Sequence, residues 1–320
     1  MRQPRLRCVV AALALMVCTM PWAAETSLPG RLVDVGGYRL HIHCTGHGGP
    51  TVLLEAGLGG MSLEWSEIQD DLSHEFRVCS YDRAGYGWSD PGPAPRTSLQ
   101  IAVELERLLD GAGERPPYIL VAHSFGGYPA QVFVRRHPAE VAGLVLLDAS
   151  HPHQFAAFDG VLPQSDLRQR HFDGRRLRSR QLLARPRLPA NYPRSVRGLA
   201  YRLMLRRSAR RTVRDEYLNM PLSAVEVEQA GKMPDRPVLV VSRGRQGWPA
   251  TPRGRRLEQI WNQLQADLAN LTPHAQRVIA SYSGHYVHLD QPGLTVRLIR
   301  QLSRDAMAAY HPGGLTSAGG

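Results

Sequence analysis

Residues 122–127 read AHSFGG, directly after an apolar run that ends at Val121 and directly before a helical pattern. A serine on a tight turn between a strand and a helix can act as a nucleophile, because the helix N-terminus faces the developing negative charge. Such a turn is strained and needs small residues two positions before and after the serine. Ala122 and Gly126 satisfy that need, so we expect Ser124 to be a nucleophile. The alternative is a serine that caps an ordinary helix.

A serine nucleophile needs a base that accepts its proton during the attack. His285 is the first choice, because the segment 283–285 (SGH) follows the last predicted strand, where a loop can fold back over the serine. His288 lies beyond that turn and is the second choice. His123 is inside the serine turn itself and is expected to point into the core or to the top of the sheet.

The tetrahedral intermediate of acyl transfer needs two hydrogen-bond donors for its oxyanion. The amide of Phe125, next to the serine, would supply one of them. The glycine-rich segment 55–60 (EAGLGG) can supply the other, and Leu58 is the expected donor. A plain glycine-rich turn is the alternative. A phosphate-binding loop would need a lysine followed by Ser or Thr, and both are missing.

Two further histidines follow another predicted strand end. His151 and His153, together with His285, could be imagined as metal ligands. The helical His-Glu-x-x-His spacing of a zinc site is absent from the sequence. The sequence therefore predicts neither a metal nor another cofactor.

The elements that must position these groups follow from two hydrophobic patterns. Residues 31–45 alternate apolar and polar side chains around Gly36 and Gly37, which predicts two half-buried strands with His41 and His43 at the surface. Later segments are short apolar runs, typical of strands buried on both faces of a parallel sheet. Helical patterns alternate with these runs, which predicts an α/β fold with helices on both faces of the sheet. The runs are 51–54, 77–81, 118–121, 143–147, 237–241 and 276–280, and the clearest helices are 99–109, 257–268 and a tail helix from about 293.

One region breaks the alternation of strands and helices. Residues 151–232 contain no buried-strand pattern, are rich in arginine and are interrupted by prolines. We interpret them as a helical cap inserted into one core, which is formed by residues 25–150 and 233–312. A chain of 320 residues is long enough for such a domain with an insertion. Residues 313–320 are small and polar and are predicted to be disordered.

Taken together, four segments of the chain resemble the α/β-hydrolase superfamily, in its branch of soluble esterase-like and haloperoxidase-like members with a helical cap. They occur in the family's order, and the resemblance covers residues 31–310. It implies a mostly parallel eight-stranded sheet with Ser, acid and His at loop ends. A serine nucleophile argues against the dehalogenase and epoxide-hydrolase members, which use aspartate there. The segments are 54–59 (LEAGLG), 81–90 (YDRAGYGWSD), 122–127 (AHSFGG) and 283–285 (SGH).

The acid that orients the histidine is where the chain departs from the family's usual pattern. The family usually places it after the seventh strand, which here is 238–241, but the following segment 242–248 has no carboxylate. Some members carry the acid at the end of the preceding strand, and that position is Asp148 here. We therefore expect Asp148 to orient His285. A structural aspartate is the alternative, and Glu258 is the reserve acid.

The second family segment contains two charged residues of the kind that also occur in catalytic sites. Asp82 and Arg83 lie side by side in the segment 81–90. We interpret both as braces for the loop near the oxyanion donors. A direct chemical role is the alternative.

The resemblance also implies a disulfide. In that fold, the second strand runs antiparallel to the strand that carries Tyr81. Cys44 ends the former and Cys79 lies early in the latter, so the two are expected to pair. Two buried, reduced thiols are the alternative.

The N-terminal residues 1–24 have the layout of a secretory signal peptide, with arginines, an apolar run over 8–20 and then small residues. We expect an exported protein, periplasmic or secreted, in a compartment that permits disulfides. No segment has the eighteen or more uninterrupted apolar residues typical of a membrane-spanning helix.

The formal net charge is +11, and Lys232 is the only lysine among the basic residues. The arginines cluster over 168–214, where a solvated helical lid is favoured over a nucleic-acid or membrane patch. We expect a monomer or weak dimer with a small ester or acyl substrate and no nucleic-acid partner. Contact with a membrane surface is the weaker interpretation.

These features predict a serine hydrolase that cleaves a carboxylic ester through an acyl-enzyme on Ser124. Amide, lactone and carbon–carbon bonds stay open as targets, because such enzymes share the triad and differ in the pocket. One alternative is a cofactor-free, peroxidase-like activity in which peroxide replaces water at the acyl-enzyme. The other is a non-catalytic binding protein with a decayed site.

Overall fold

A computed structural model of the chain describes residues 28–159, 161 and 187–310. The predicted signal peptide at 1–24 and the predicted tail at 313–320 lie outside the described residues, as does the middle of the predicted cap. None of the described helices is both long enough and apolar enough to cross a bilayer.

Eight strands form a single sheet. In chain order they are β1 Arg31–Asp34, β2 Arg39–Thr45, β3 Thr51–Glu55, β4 Arg77–Asp82, β5 Tyr118–His123, β6 Val141–Leu147, β7 Val238–Arg243 and β8 Ala275–Ala280. Their spatial order is β1-β2-β4-β3-β5-β6-β7-β8. β2 pairs antiparallel with β1 and β4, and all other neighbours are parallel. The predicted fold class, a mostly parallel eight-stranded sheet in an α/β chain, is confirmed.

Helices connect the strands and cover both faces of the sheet. In the described residues they are α1 Ser66–Leu72, α2 Ser98–Ala112, α3 Gly127–Arg136, α4 Gln154–Phe158, α5 Arg197–Met204, α6 Arg207–Leu218, α7 Met220–Gln229, α8 Pro252–Leu268, α9 Val287–Asp290 and α10 Pro292–Ala309. One-turn 3₁₀ helices occur at Ser62–Trp65 and Ser124–Gly126. The predicted helices at 99–109, 257–268 and the tail correspond to α2, α8 and α10.

The central strands are buried because helices pack on both of their faces. Every residue of β3, β5, β6 and β7 is buried. On one face, α2 and α3 contribute side chains such as Ile101 and Phe133 to the core. On the other face, α1 and α10 contribute side chains such as Ile68 and Ile299. Burial on this scale holds the carboxyl ends of the parallel strands at one rigid edge.

The described part of 151–232 consists of helices and connecting turns between β6 and β7, with no strand among those described residues. α7 packs against α2 and α3, through side chains such as Ala224 and Val227. α5 packs over the carboxyl edge of the sheet, where Leu203 joins a cluster with Met61 and Leu289. The boundaries of the predicted cap domain stay a prediction.

The two cysteines of the described chain are joined. Cys44 on β2 lies directly opposite Cys79 on β4 in the antiparallel register, and a disulfide links them across 35 residues of sequence. Cross-strand neighbours bring their Cβ atoms within reach of such a bond.

The expectation that His41 lies at the surface is wrong. Its side chain is fully buried, because the loop after β4 covers that face of β2. The rings of His41 and Trp88 are 4.8 Å apart, and the Nδ1 of His41 lies 2.9 Å from an Asp82 oxygen. On the polar face of β2, Arg39 is exposed and His43 is half-buried, so the loop after β4 buries that face only at His41.

Candidate active site

Ser124 occupies a strained turn between β5 and α3. Its φ is +51°, in the left-handed region that non-glycine residues rarely adopt. Asp148, the residue after β6, has a φ of +40° and is the other non-glycine residue with positive φ in the described chain. Strain of this kind persists only where the surrounding fold over-determines it, and it concentrates at functional sites.

Small residues let the loop after β3 approach the serine turn. A Cβ at Gly126 would lie 2.6 Å from the carbonyl oxygen of Ala56, and a Cβ at Gly57 would lie 2.8 Å from the Nδ1 of His123. A Cβ at Gly127 would lie 2.7 Å from that of Ala149. Glycines at these positions therefore permit the loops after β3, β5 and β6 to pack in direct contact.

Ser124, His285 and Asp148 form a continuous hydrogen-bonded chain. The Nε2 of His285 lies 2.8 Å from the Oγ of Ser124. Its Nδ1 lies 2.6 Å from the Oδ2 of Asp148. The three residues follow β5, β8 and β6, so the carboxyl ends of parallel strands bring them to one edge of the sheet.

The loop that carries His285 is fixed on both sides. The amide of Gly284 donates to Asp290 on α9 at 2.7 Å, and the amide of Arg245 donates to the carbonyl of Ser283 at 2.9 Å. His123, the last residue of β5, contacts the carbonyl oxygen of His285 through Nε2 at 2.9 Å. His123 therefore holds the histidine loop, and it is buried as the sequence indicated.

Asp148 is buried and surrounded by donors. Trp261 on α8 donates its indole N–H to Oδ1 at 2.8 Å, and Arg243 donates to Oδ2 at 2.7 Å. Burial by itself would raise the pKa of Asp148, but the hydrogen bond and charge of His285 and the charge of Arg243 outweigh it. They hold the pKa at about 2, so the group is a carboxylate at neutral pH.

The two reserve residues lie apart from the serine. Glu258 on α8 accepts from the amide of Gly247 at 2.8 Å and lies 3.4 Å from Arg243. His288 on α9 is buried, stacks on Trp65 and has its Nε2 3.3 Å from a Glu64 oxygen. The structure therefore brings Asp148 and His285 to Ser124, and places the alternatives in other contacts.

Arg83 holds the loop that follows β3. Its guanidinium donates to the carbonyl of Ala56 at 2.6 Å, to that of Gly57 at 2.8 Å and to the Glu55 carboxylate at 2.6 Å. The neighbouring Asp82 accepts from the amide of Ser62 at 2.8 Å. Arg83 thus contacts the loop that contains Leu58, and Asp82 contacts the start of the 3₁₀ helix that follows it. Their role as braces stays a prediction.

Sequence reasoning missed the partner of Arg83 in the cap. Glu216 on α6 is buried and accepts from Arg83 at 2.8 Å and from the hydroxyl of Tyr86 at 2.7 Å. Burying a charge is costly unless it is paired, so this contact ties α6 to the sheet edge. The only sequence signal was an acidic pair, 215–216, in an otherwise arginine-rich helix.

A cavity of about 470 Å³ opens over Ser124 and His285. Its wall combines the loop after β3 with residues of the cap, and it is mostly apolar with a few polar groups, as small-molecule sites usually are. Apolar lining residues include Leu58, Met61, Leu188, Met204 and Val213, and polar ones include Glu64, Tyr192, Arg187 and Arg210.

Three groups of described side chains lie close enough together for a metal ion to be considered. One of them is Cys44, Cys79 and Glu114, whose two sulfur atoms are already joined in the disulfide, so two groups are left. In the first, both ring nitrogens of His151 already have partners, an oxygen of Asp267 at 2.9 Å and the amide of His153 at 3.0 Å. The second group is buried behind the serine turn and consists of Glu64, His123 and His288. Burial lowers the pKa of both histidines, to about 3 for His288, so their rings are neutral.

The chain matches one protein family over most of its length and is similar to curated proteins of other organisms. The family described as "alpha/beta hydrolase fold" matches residues 50–292. The uncharacterized protein YqjL of Bacillus subtilis is 27% identical over 252 residues, which cover 78% of this chain and 82% of YqjL. The probable transporter efuK of Hormonema carpetanum is 34% identical over 148 residues, which cover 44% of this chain. The match spans only 21% of that relative's length.

Solved structures show the same fold at low sequence identity. Cfl2 from Burkholderia cenocepacia has a TM-score of 0.63 at 24% identity, covering 88% of this chain and 98% of its own. A thermophilic esterase from Thermogutta terrifontis has a TM-score of 0.59 at 22% identity, and the match covers 86% of this chain and 98% of the esterase. The enol-lactonase from Burkholderia xenovorans has a TM-score of 0.58 at 18% identity, covering 85% and 99%. The chain belongs to the α/β-hydrolase fold family.

Proposed function

We propose that this protein is a serine hydrolase that cleaves a carboxylic ester through an acyl-enzyme on Ser124. The observation that carries the proposal is the unbroken chain from Asp148 through His285 to the Oγ of Ser124. This chain ends at a cavity large enough for a small ester. The resemblance in fold to an esterase and an enol-lactonase is consistent with an acyl substrate.

In the proposed mechanism, the Oγ of Ser124 attacks the ester carbonyl while the Nε2 of His285 takes its proton. The carboxylate of Asp148 fixes the ring through Nδ1 and stabilises the imidazolium that forms. His285 then gives the proton to the departing alkoxide, and the C–O bond of the ester breaks. A water molecule attacks the acyl-enzyme while the Nε2 of His285 takes its proton. The bond between the acyl carbon and the Oγ of Ser124 then breaks, His285 returns the proton to this oxygen, and the carboxylic acid leaves.

The amides of Leu58 and Phe125 are the proposed donors to the oxyanion. Phe125 is the second residue of the one-turn helix Ser124–Gly126, and the first amides of a helix have no partner within it. Leu58 lines the cavity next to the serine. A Cβ at the adjacent Gly57 would lie 3.2 Å from the Cβ of Ser124, so this loop runs directly against the nucleophile. Fixed donors at this place stabilise the transition state more than they stabilise the substrate.

The lining of the cavity supports an ester with an apolar part. Apolar side chains from the loop after β3 and from the cap form most of the wall, among them Met61, Met204 and Val213. A panel of p-nitrophenyl esters of increasing acyl length tests the proposal. Wild type is expected to hydrolyse part of the panel, and Ser124→Ala is expected to lose at least a thousandfold in kcat/KM.

Two outcomes of this panel, and one of a separate peracid assay, would change the proposal. Equal hydrolysis by wild type and Ser124→Ala would overturn the assignment of the nucleophile. Absence of hydrolysis by folded wild type, together with ligand binding, would favour the non-catalytic alternative. Peracid formation from acetate and peroxide at a rate above ester hydrolysis would favour the peroxidase-like alternative.

We also propose that the protein is exported. Two observations support this, namely the signal-like residues 1–24 and the disulfide between Cys44 and Cys79, a bond that persists in oxidising compartments. N-terminal sequencing of the protein from periplasm and medium tests it. A mature N-terminus close to residue 25 is expected, whereas an intact Met1 in the cytoplasmic fraction would contradict export.

A further inference from the structure

A second series of charged side chains contacts the proposed catalytic triad at Asp148. The Oδ2 of Asp148 lies 2.6 Å from the Nδ1 of His285 and 2.7 Å from an Nη atom of Arg243. One carboxylate oxygen therefore serves two nitrogen donors. On its far side, the guanidinium of Arg243 lies 3.4 Å from the carboxylate of Glu258. The order of groups is Ser124, His285, Asp148, Arg243 and Glu258.

Arg243 is held in one orientation. Its side chain is only 5% exposed, and its guanidinium carbon lies 4.7 Å from the ring centre of Trp248 and 5.0 Å from that of Trp261. A Cβ at Gly247 would lie 2.8 Å from the guanidinium, so glycine makes room for it there. A permanently charged group that contacts two aromatic rings keeps its cation at a fixed distance from Asp148.

We infer that Arg243 and Glu258 together set the proton affinity of His285, with Arg243 lowering it and Glu258 partly restoring it. The inference rests on the proposed roles of Ser124, His285 and Asp148. During attack on the ester, His285 becomes a cation that must share Asp148 with Arg243. The two nitrogens are at most about 5 Å apart because both contact the same oxygen. At that distance, a fixed cation disfavours imidazolium formation.

This arrangement gives Arg243 a positioning and charge-setting role without contact to the substrate. A lower proton affinity keeps His285 neutral, and therefore able to accept the serine proton, at lower pH. The carboxylate of Glu258 offsets part of the guanidinium charge, so that Asp148 can still stabilise the imidazolium. Substitutions at 243 and 258 leave unchanged the other polar or charged groups that face His285 or Asp148, which are His123, Trp261, Tyr286, His288 and, from β8, Arg277. Glu64 lines the same cavity as His285 and is also unchanged.

The test compares the pH dependence of kcat/KM for wild type, Arg243→Met and Glu258→Gln. The acid limb of this profile reports the deprotonation of the base in the free enzyme. Arg243→Met is expected to move the limb up by about one pH unit, because a repelling cation is lost. Glu258→Gln is expected to move it down by about half a unit, because the guanidinium charge is then less compensated.

Arg236→Met is the matched control, since Arg236 lies just before β7, at the end of the strand opposite Arg243. Its limb is expected to coincide with that of wild type. The downfield proton resonance of the Nδ1–H of His285, titrated by NMR in each variant, gives the same shifts without turnover. If Arg243→Met does not fold, Glu258→Gln and Arg243→Lys still test the inference. The acid limb is expected to move down in Glu258→Gln and to stay in place in Arg243→Lys.

The inference would be overturned if the acid limb of the pH profile stayed in place in both Arg243→Met and Glu258→Gln. It would also be overturned if the limb moved in the same direction in both variants. A lower kcat/KM of Arg243→Met without a shift of the acid limb would mean that Arg243 acts only through packing. Failure of the proposed function itself looks different, because Ser124→Ala would then be as active as wild type, or wild type would show no hydrolysis at any pH.

Discussion

The indole N–H of Trp261 donates to the Oδ1 of Asp148 at 2.8 Å, while His285 contacts the Oδ2 of the same carboxylate at 2.6 Å. Each oxygen of the carboxylate thus has its own partner, and the plane of the group cannot rotate without breaking one of the two contacts. Together with the positive φ of Asp148, this contact aims the carboxylate at the histidine from the end of β6.

Replacement of the acid is expected to be far more damaging than replacement of the reserve acid. Asp148→Asn keeps the shape but favours the wrong tautomer of His285 and removes the charge that stabilises the imidazolium. We expect kcat to fall by about 10³–10⁴-fold. Glu258→Gln, measured in parallel, is expected to stay within about tenfold of wild type at its own pH optimum. Near-normal turnover of Asp148→Asn with inactive Glu258→Gln would show that the assignment is reversed.

Removal of the buried contact between Arg83 and Glu216 is expected to affect both stability and turnover. Glu216→Ala leaves the guanidinium of Arg83 without a buried partner on the cap side, so the free energy of unfolding should fall by about 3–5 kcal/mol. The loop that contains Leu58 also loses part of its support, and kcat is expected to fall by about 10²-fold. Urea unfolding and ester kinetics measure the two effects.

Arg211→Ala is the control for that variant, because Arg211 is an exposed residue on the same helix. Its stability is expected to stay within about 0.5 kcal/mol of wild type. Equal stability of Glu216→Ala and Arg211→Ala would mean that the cap contact contributes nothing to the fold.

Reduction of the disulfide is expected to destabilise the protein. The bond between Cys44 and Cys79 closes a loop of 35 residues, for which the loss of chain entropy in the unfolded state predicts about 3–4 kcal/mol. Urea unfolding with and without dithiothreitol measures the difference. The double variant Cys44→Ser/Cys79→Ser should be insensitive to the reductant, and a similar effect of dithiothreitol on that variant would argue against the bond as the cause.

Glu64 is expected to make the stability depend on pH in one direction. Burial raises its pKa to about 7, although the charge of Arg83 and a backbone hydrogen bond at Met61 oppose the shift. A carboxyl group with a raised pKa in the folded state stabilises the fold fully at low pH. That stability is lost as the pH rises from the ordinary value of 4.5 through about 7.

Glu64→Gln removes this dependence. The quantity to compare is the free energy of unfolding of Glu64→Gln minus that of wild type. This difference should be about 2–3 kcal/mol larger at about pH 8 than at about pH 4. Glu67→Gln, at an exposed position on α1, serves as the control and should show no such gain. A difference between Glu64→Gln and wild type that stays constant with pH would contradict the burial-driven shift.

The sheet was predictable because its strands carry local signals. Continuous apolar runs such as 118–121 and 143–147 become strands buried on both faces, and the helical spacing of apolar residues predicted α2 and α8. Burial of His41 and of Glu216 was not predictable in this way. Both are covered by segments distant in sequence, and hydrophobic periodicity carries no information about such contacts.

Part of the candidate site was predictable from the sequence for the same reason. Ser124 and His285 stand in short motifs next to strand ends, so local sequence locates them. The choice between Asp148 and Glu258 depended on which of them reaches His285, a question of three-dimensional packing. Arg243 drew no attention in the sequence, because it ends the strand after which the resemblance led to a search for an acid. The contact between Arg243 and Asp148, on which the inferred role of Arg243 depends, is visible only in the three-dimensional structure.

The central claim is that Ser124 is an activated nucleophile. The most direct measurement is covalent labelling of the folded protein by a fluorophosphonate probe, with the modified peptide identified by mass spectrometry. We expect one adduct per chain, on Ser124, formed by wild type and lost in Ser124→Ala. The labelling rate of Asp148→Asn should be strongly reduced. An adduct on another residue, or folded wild type that resists the probe at every pH, would contradict the account.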